Sequence, residues 1–139
     1  MQFVPMGHEG SPWVSVGQFV DTPHMFQNMG DGTYSHSGYL AIRQAVAAGA
    51  NVTYKILYND AVAMTGGQPV DGPLSVPMIA RQIEAEGVQT IVVVTDGTAR
   101  DYSARDLPAG TPIRHRDELD AIQRELREVT GVSALIYDQ

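Results

Sequence analysis

The stretch that decides the fold runs from His24 to Gln68 and reads HMFQNM, GDGTY, SHSGYLAIRQAVAAG, ANVTYKILY, NDAVAMTGGQ. Its parts predict a short strand, a glycine-flanked loop, an amphipathic helix, a second strand and a second loop. Ser35 or Ser37 can cap the helix, and Gly49 stands where a left-handed residue ends one. The predicted apolar face of the helix comprises Leu40, Ala41, Ile42, Ala45, Val46 and Ala48. The stretch therefore predicts a βαβ unit with a polar loop after each strand.

The rest of the chain repeats this alternation of strands and helices. The apolar residues of the next predicted helix recur at spacings of three and four and are Val76, Ile79, Ala80 and Ile83. The predicted elements are an entry loop leading into a short helix or irregular segment at 1–21, a helix at 75–86, a strand at 90–95, a helix at 117–130 and a strand at 132–137. The strand at 90–95 is continuously apolar, which is typical of a sheet covered on both faces. We predict a three-layer, doubly wound α/β fold around a mainly parallel sheet of at least four strands.

Composition and charge narrow the range of functions. With 43% hydrophobic and 18% charged residues, the 139-residue chain has the composition of one globular domain. A net charge of -7 with nine Lys and Arg residues is unfavourable for an extended nucleic-acid interface. The absence of cysteine excludes disulfides, a cysteine nucleophile and an iron–sulfur cluster ligated by this chain. The sequence has no signal-type segment and no apolar run long enough to span a bilayer, so we expect a cytoplasmic protein without a membrane partner.

Two polar residues follow the first two predicted strands. Asp31 lies between Gly30 and Gly32, where glycines let backbone N–H groups approach a phosphate at a helix N-terminus. Twenty-six residues, 33–58, separate this motif from Asn59, which is the length of one helix-and-strand crossover. Neighbouring strands lie about 4.8 Å apart, so both side chains can reach one ion. Mg2+ prefers such hard oxygen ligands and joins them to phosphates. The pattern therefore predicts a Mg2+ and phosphate site at one edge of the sheet.

A GDG motif followed at this spacing by Asn resembles the signature of thiamine-diphosphate enzymes. The longer wording GDGTYSHSGYLAIRQAVAAG at 30–49 and NVTYKILYNDAVAMTGGQPVDG at 51–72 is similar to the thiamine-binding domain of indolepyruvate:ferredoxin oxidoreductases. These enzymes belong to the 2-oxoacid:ferredoxin oxidoreductase family. The similarity is dense from Gly7 to Gly72 and thinner towards the C-terminus. The sequence departs from the family at His8, where its members often have glycine.

The resemblance implies a role for each loop. Asp31, Asn59 and the main-chain carbonyl of Ala61 would be the ligands of Mg2+, and Mg2+ would hold the diphosphate. The diphosphate would meet Gly30, Gly32 and Thr33. The metal side would be closed by Thr65, Gly66 and Gly67. The residues of the loop that would approach the thiazolium ring are Gly7, His8, Glu9 and Gly10. No catalytic side chain is assigned in this chain.

The resemblance also implies an activity, the oxidative decarboxylation of 2-oxo acids to acyl-coenzyme A, with electrons passing through iron–sulfur clusters to ferredoxin. The clusters, the coenzyme A site and the glutamate that activates the aminopyrimidine would belong to other domains or subunits. We expect these partners to be a pyrimidine-binding and a ferredoxin-like domain. Residues 1–139 would then be a single domain, either a fragment or one subunit of a larger oligomeric enzyme, and inactive alone.

Two other classes of function remain open. A decarboxylase or a pyruvate-type oxidoreductase would also use thiamine diphosphate and would share Asp31 and Asn59. A non-catalytic Mg2+-phosphate module would need the same loops, and both residues could also belong to strand-end turns. Other motifs fit less well, because Ser35 stands where a dinucleotide fingerprint needs its third glycine and no GxSxG motif occurs. Asp96 follows an apolar strand and is interpreted as a strand-end residue.

Overall fold

A computed structural model of the chain describes residues 4–59, 61–62, 68–69, 74–97 and 102–139. At 61–62 and 68–69 the description covers the main chain. The predicted loop residues Thr65, Gly66 and Gly67 lie outside the described residues. Within the described ranges, none of the helices has the length and apolar character that crossing a bilayer requires.

Helices and strands alternate along the chain. Its helices are α1 (Ser11–Val16), α2 (Asp31–Thr33), α3 (Tyr39–Ala47), α4 (Val76–Ala85) and α5 (Leu119–Leu126). Its strands are β1 (Met25–Gly30), β2 (Val52–Tyr58), β3 (Ala61–Val62), β4 (Gln68–Pro69), β5 (Thr90–Thr95), β6 (Ile113–His115) and β7 (Val132–Asp138). The predicted strands at 52–58 and 90–95 are found with the same bounds, and α4 begins at the residue after Ser75, whose hydroxyl caps it by accepting the Met78 N–H.

Five strands form one parallel sheet in the order β1, β2, β7, β5, β6, while β3 and β4 make a separate antiparallel pair. The predicted α/β fold with a parallel sheet is therefore confirmed. Strand β6 was not predicted, because its three residues include two that read as part of a solvated charged run. In the structure Arg114 forms ion pairs with Glu118 and Glu125, which hold this edge strand to α5 and the turn before it.

Each face of the sheet carries its own apolar core. The core under α3 and α4 includes Ile42, Ile56, Ile79, Ile83, Val93 and Ile136. The core under α5 consists of Val92, Val94, Ile122, Leu126 and Leu135. The crossovers from β1 to β2 and from β2 to β5 advance in one direction with their helices on one face, and the return from β6 to β7 places α5 on the other. All three crossovers therefore have the same hand, and the predicted three layers are present.

The helix that follows β1 begins at Asp31, so the prediction that Ser35 or Ser37 caps it was wrong. Gly30 ends the strand in an extended conformation, with φ -71° and ψ 153°, and the next residue is already helical. A π-helical turn, Tyr34–Gly38, joins α2 to α3. Capping rules rest on a polar residue just outside the helix, and here that position is a glycine.

Close packing fixes the π-helical turn against β1. A Cβ on Gly38 would lie 2.5 Å from the sulfur of Met29, so this position has no room for a side chain. Gly38, the last residue of the turn, therefore contacts β1, the strand that Asp31 directly follows. The helix is thus held directly to the sheet from its first turns.

The predicted inner face of α3 was partly wrong. Ala41, Ile42 and Ala45 are buried, but Leu40 is 51% exposed. Positions 40 and 42 lie about 200° apart around a helix, so they cannot both face the sheet. Ala48 is exposed as well, because it caps the end of the helix.

The last helix is shorter than the predicted 117–130. A 3-10 turn, Arg116–Glu118, precedes α5, and the helix ends at Leu126. The next residues form tight turns, with the Val129 N–H donating to the Leu126 carbonyl at 3.1 Å. Gly131 then adopts a φ of 87° and leads into β7.

We expect Ile42→Ala to lower the free energy of unfolding by about 2–5 kcal/mol, because it removes a buried side chain and leaves a cavity. Leu40→Ala on the same helix is the matched control and should cost less than about 1 kcal/mol. Urea unfolding followed by circular dichroism measures both. Equal losses would contradict the orientation of α3 described above.

Candidate functional site

Because the five strands are parallel, their carboxyl ends lie along one side of the sheet, here called the carboxyl edge. Polar residues follow most of these strand ends. The residues at or directly after the strand ends are Asp31, Asn59, Asp96, His115 and Asp138. The registers align Gly30 with Leu57, Tyr58 with Asp138, and Thr95 with Asp138. This carboxyl edge is where ligands of open α/β sheets bind.

Asp31 and Asn59 meet at this edge. Asp31 is 4% exposed, and its two carboxylate oxygens accept different backbone N–H groups. The Gly32 N–H donates to Oδ1 at 2.8 Å, and the Asn59 N–H donates to Oδ2 at 3.0 Å. The prediction that the two loops are neighbours is therefore confirmed. Their role as Mg2+ ligands stays a prediction.

The chain around Asn59 is fixed by its neighbour Tyr58. The Tyr58 hydroxyl donates to the carbonyl of Leu74 at 2.9 Å, and the Tyr58 carbonyl accepts the Gln139 N–H at 3.0 Å. Asn59 itself is exposed. The strand end is therefore held from two sides while the residue after it faces outward.

The donor set at this edge suits a hard cation. Mg2+ takes oxygen ligands, commonly one or two carboxylates completed by neutral oxygens. Asp31 supplies a buried carboxylate, Asn59 an amide oxygen, and Ala61 in β3 a main-chain carbonyl in a strand that contacts α2. Among the described residues no three His, Cys, Asp or Glu side chains come close enough to hold a metal. A cation here would therefore depend on one carboxylate and neutral oxygens, as the sequence predicts.

The glycines flanking Asp31 differ in their surroundings. Among the described residues, a Cβ on Gly30 would meet no atom within 4 Å. The Gly32 N–H, which was predicted to meet a diphosphate, donates to Asp31 in this structure. Thr33 is 7% exposed and belongs to the packed interior.

The loop of Gly7, His8, Glu9 and Gly10 lies against the helix beyond Asp31. A Cβ on Gly7 would overlap the hydroxyl of Ser37, which is about 9 Å along the helix from Asp31 at 1.5 Å per residue. The Glu9 carboxylate accepts the Gly7 N–H at 2.8 Å, and His8 is exposed. The structure thus places this loop against the π-helical turn, and its predicted role near a thiazolium ring stays a prediction.

Two buried tyrosines tie these segments together. The Tyr54 hydroxyl lies 3.1 Å from the Glu9 carbonyl and 3.2 Å from the Ala41 carbonyl, so it joins the N-terminal loop to α3. The Tyr34 hydroxyl donates to Gln82 in α4 at 2.6 Å. Burial raises the pKa of both phenols, and the nearby Glu9 carboxylate raises that of Tyr54 further. Both hydroxyls therefore stay protonated donors at neutral pH.

Sequence reasoning missed the contribution of β7 and of the segment before β6. Asp138 is 2% exposed at the end of β7, and the Tyr102 hydroxyl donates to its carboxylate at 2.6 Å. Directly after β5, the Asp96 carbonyl lies 2.9 Å from His115 Nε2, consistent with Asp96 as a strand-end residue. A strand prediction extended by one residue would have placed Asp138 at the carboxyl edge, but nothing in the sequence pairs it with Tyr102.

The loops after β1 and β2 both lead towards helices on the same face, whereas the loop after β6 leads to the other face. The candidate site lies between the first two of these loops, at the carboxyl ends of β1 and β2, and rests on Asp31 and Asn59.

No protein-family model and no curated protein matches the sequence. A solved structure, described as that of a candidate thiamin diphosphate-dependent enzyme from Mycobacterium smegmatis, is similar to this chain with a TM-score of 0.52 and 16% sequence identity. The two proteins share a fold. The similarity covers 83% of this chain and 17% of the other, so this chain spans less than one fifth of that protein's length.

We expect Tyr54→Phe to lower the free energy of unfolding by about 1–2 kcal/mol at neutral pH, because it removes the one hydroxyl proton that the carbonyls of Glu9 and Ala41 share. Since the folded protein holds the pKa of Tyr54 above its usual 10.0, stability from the neutral phenol is complete below pH 10 and is lost as the pH rises further. The loss of stability at alkaline pH should therefore be smaller in Tyr54→Phe than in the native protein. Urea unfolding at neutral and alkaline pH measures both effects.

Tyr137→Phe is the matched control, since the Tyr137 hydroxyl makes no hydrogen bond within the part of the chain that the structure describes. Tyr137→Phe should change neither the free energy of unfolding at neutral pH nor its loss at alkaline pH appreciably. If it matched Tyr54→Phe, the Tyr54 hydrogen bonds would not be the cause.

Proposed function

We propose that this chain is the thiamine-diphosphate and Mg2+ binding domain of a 2-oxoacid:ferredoxin oxidoreductase of the indolepyruvate type. The observation that carries the proposal is the 3.0 Å hydrogen bond from the Asn59 N–H to the buried Asp31 carboxylate. It supports the GDG and Asn pattern as one site, since residues 28 positions apart meet at the edge where cofactors bind. The fold shared with a candidate thiamin diphosphate-dependent enzyme supports it further.

In this proposal the residues have separate tasks. Asp31, Asn59 and the carbonyl of Ala61 hold Mg2+, and the metal neutralises the repulsion between the Asp31 carboxylate and a diphosphate. Gly30, Gly32 and Thr33 would meet the diphosphate, and residues 65–67 would close over the metal side. Gly30 leaves space for the cofactor to approach the backbone, since no atom of the described ranges lies within 4 Å of where its Cβ would be.

The wider enzyme would supply what this chain lacks. When bound, thiamine diphosphate supplies the carbanion chemistry that decarboxylates 2-oxo acids, while this chain's residues anchor and orient it. The sequence has no cysteine, so iron–sulfur clusters would be ligated by a ferredoxin-like domain. A pyrimidine-binding domain would complete the cofactor site, coenzyme A would take the acyl group, and ferredoxin would accept the electrons. We place this oligomeric enzyme in the cytoplasm and expect the chain alone to be inactive.

Two other functions compete with this one. Another thiamine-dependent enzyme, such as a decarboxylase or a pyruvate-type oxidoreductase, would use Asp31 and Asn59 in the same way. A non-catalytic Mg2+-phosphate module would bind through the same carboxylate without regard to thiamine. The first differs from our proposal in partners and substrate, and the second in its ligand.

Calorimetric titration of the chain with thiamine diphosphate, with and without Mg2+, separates a thiamine site from a phosphate module. We expect heat of binding only when both are present, because the metal bridges two negative groups. The titration should extend to millimolar ligand, since other domains supply part of the proposed site. Equal heats for inorganic diphosphate and thiamine diphosphate would favour the phosphate module.

Asp31→Ala should weaken the Mg2+-dependent binding by about a hundredfold or more, because losing one partner of a buried charge pair costs about 3 kcal/mol or more. Asp96→Ala, at the end of β5, is the matched control and should leave most of the binding intact. Equal losses in the two variants would assign the metal to the wrong loop.

A further inference from the structure

His24, the residue before β1, begins a chain of hydrogen bonds across the amino-terminal ends of three strands. Its Nε2 lies 2.7 Å from the hydroxyl of Thr53 in β2, and that hydroxyl lies 2.7 Å from the hydroxyl of Ser133 in β7. Thr53 and Ser133 are completely buried. These residues lie at the opposite end of the strands from Asp31, so the proposed cofactor site does not use them.

The second ring nitrogen of His24 has no such partner. Within the described ranges, Nδ1 is the one buried side-chain nitrogen or oxygen without a hydrogen bond. The ring packs edge-on against Phe26, with 5.3 Å between the ring centroids. A buried polar atom without a partner is unfavourable, so it calls for an explanation beyond packing.

His24 borders a cleft of about 510 Å³ between the start of β1 and the end of α5. The charged residues of the cleft are Arg127 and Glu128, whose side chains pair with each other at 3.0 Å. On the same face of the sheet, the Lys55 ammonium donates to Gln123 at 2.9 Å. Glu128 is therefore the one acidic side chain among the described residues that line this cleft.

We propose that His24 is a proton-sensitive latch for this cleft, which holds β1 to β2 and β7 in both protonation states and, once protonated, draws Glu128 away from Arg127. An imidazolium donates through both ring nitrogens. In the neutral ring Nε2 carries the proton and donates to Thr53, so the added proton goes to Nδ1 and the hydrogen bonds to Thr53 and Ser133 keep their direction. Nδ1 would then hold a proton without an acceptor, and Glu128 is the acidic residue that lines the same cleft.

The direction of the pH dependence follows from burial. Burial lowers the pKa of His24 below its usual 6.5, and the Glu128 carboxylate partly opposes this shift. The unfolded chain therefore binds the proton more readily than the folded chain. Stability from neutral His24 is complete above pH 6.5 and is lost as the pH falls through 6.5 towards the lower pKa of the folded protein.

NMR titration of the 139-residue chain between roughly pH 8 and pH 5 tests the latch. The backbone amides of Glu128 and Val129 should shift with the same midpoint as the His24 ring. His115, which lies at the carboxyl edge, is an internal control, and its midpoint should not appear in those amides. Amides that follow His115, or do not titrate with His24, would overturn the proposal.

Substitutions separate the latch from general acid sensitivity. Glu128→Gln should lower the His24 midpoint and abolish the coupled amide shifts, whereas Glu84→Gln on the exposed side of α4 should do neither. An unchanged His24 midpoint in Glu128→Gln would overturn the proposal.

His24→Gln provides a second test, because glutamine can still hydrogen-bond to Thr53 but does not titrate. In the native protein the equilibrium constant for unfolding should rise by at most tenfold per pH unit as His24 protonates. This rise should disappear in His24→Gln. The same rise in both proteins would show that other groups cause it and would overturn the latch.

Discussion

The structure around the candidate site depends on one buried carboxylate that accepts backbone N–H groups from two different segments. Asp31 takes one hydrogen bond from the next residue of its own helix and one from the first residue after β2. A buried charge is tolerated only when such donors or a cation compensate for lost water. The two strands must therefore end side by side, in the register that aligns Gly30 with Leu57.

This constraint explains why the surrounding layer is held so closely. The chain enters a helix immediately after the strand, and the packing of Gly38 on Met29 keeps that helix against the sheet. The buried hydroxyls of Tyr34 and Tyr54 then connect it to α4 and to the N-terminal loop. Each of these contacts fixes the position of the carboxylate relative to the rest of the fold.

The parts of the fold that could be predicted from sequence are those set by local pattern. The β-branched run at 52–58 and the apolar run at 90–95 have the predicted bounds, and all four predicted inner residues of α4 are buried. The predicted start of the helix after β1 was wrong. This helix has no side-chain cap and contains a π-helical turn that is fixed by its packing on β1. Strand β6 was missed because it is three residues long, carries charge and is stabilised by the ion pairs of Arg114 with Glu118 and Glu125.

The candidate site also contains one part that the sequence predicts and other parts that it does not. The meeting of Asp31 and Asn59 follows from crossover length, which the sequence contains. The position of the Gly7 to Gly10 loop depends on Ser37 and Tyr54, and the pairing of Tyr102 with Asp138 joins residues 36 apart, so neither has a local signal. Such contacts form only once the helices and the sheet have packed together, so no local sequence pattern predicts them.

The π-helical turn has a consequence for the evolution of this chain. A π-helical turn completes one rotation of the helix with about one residue more than an α-helical turn. Deleting one residue from Tyr34–Gly38 would therefore leave a regular α-helix that keeps Asp31 and the inner face of α3 in their relative orientation. The segment is constrained more by its packing, since Gly38 has no room for a side chain beside Met29, than by its length.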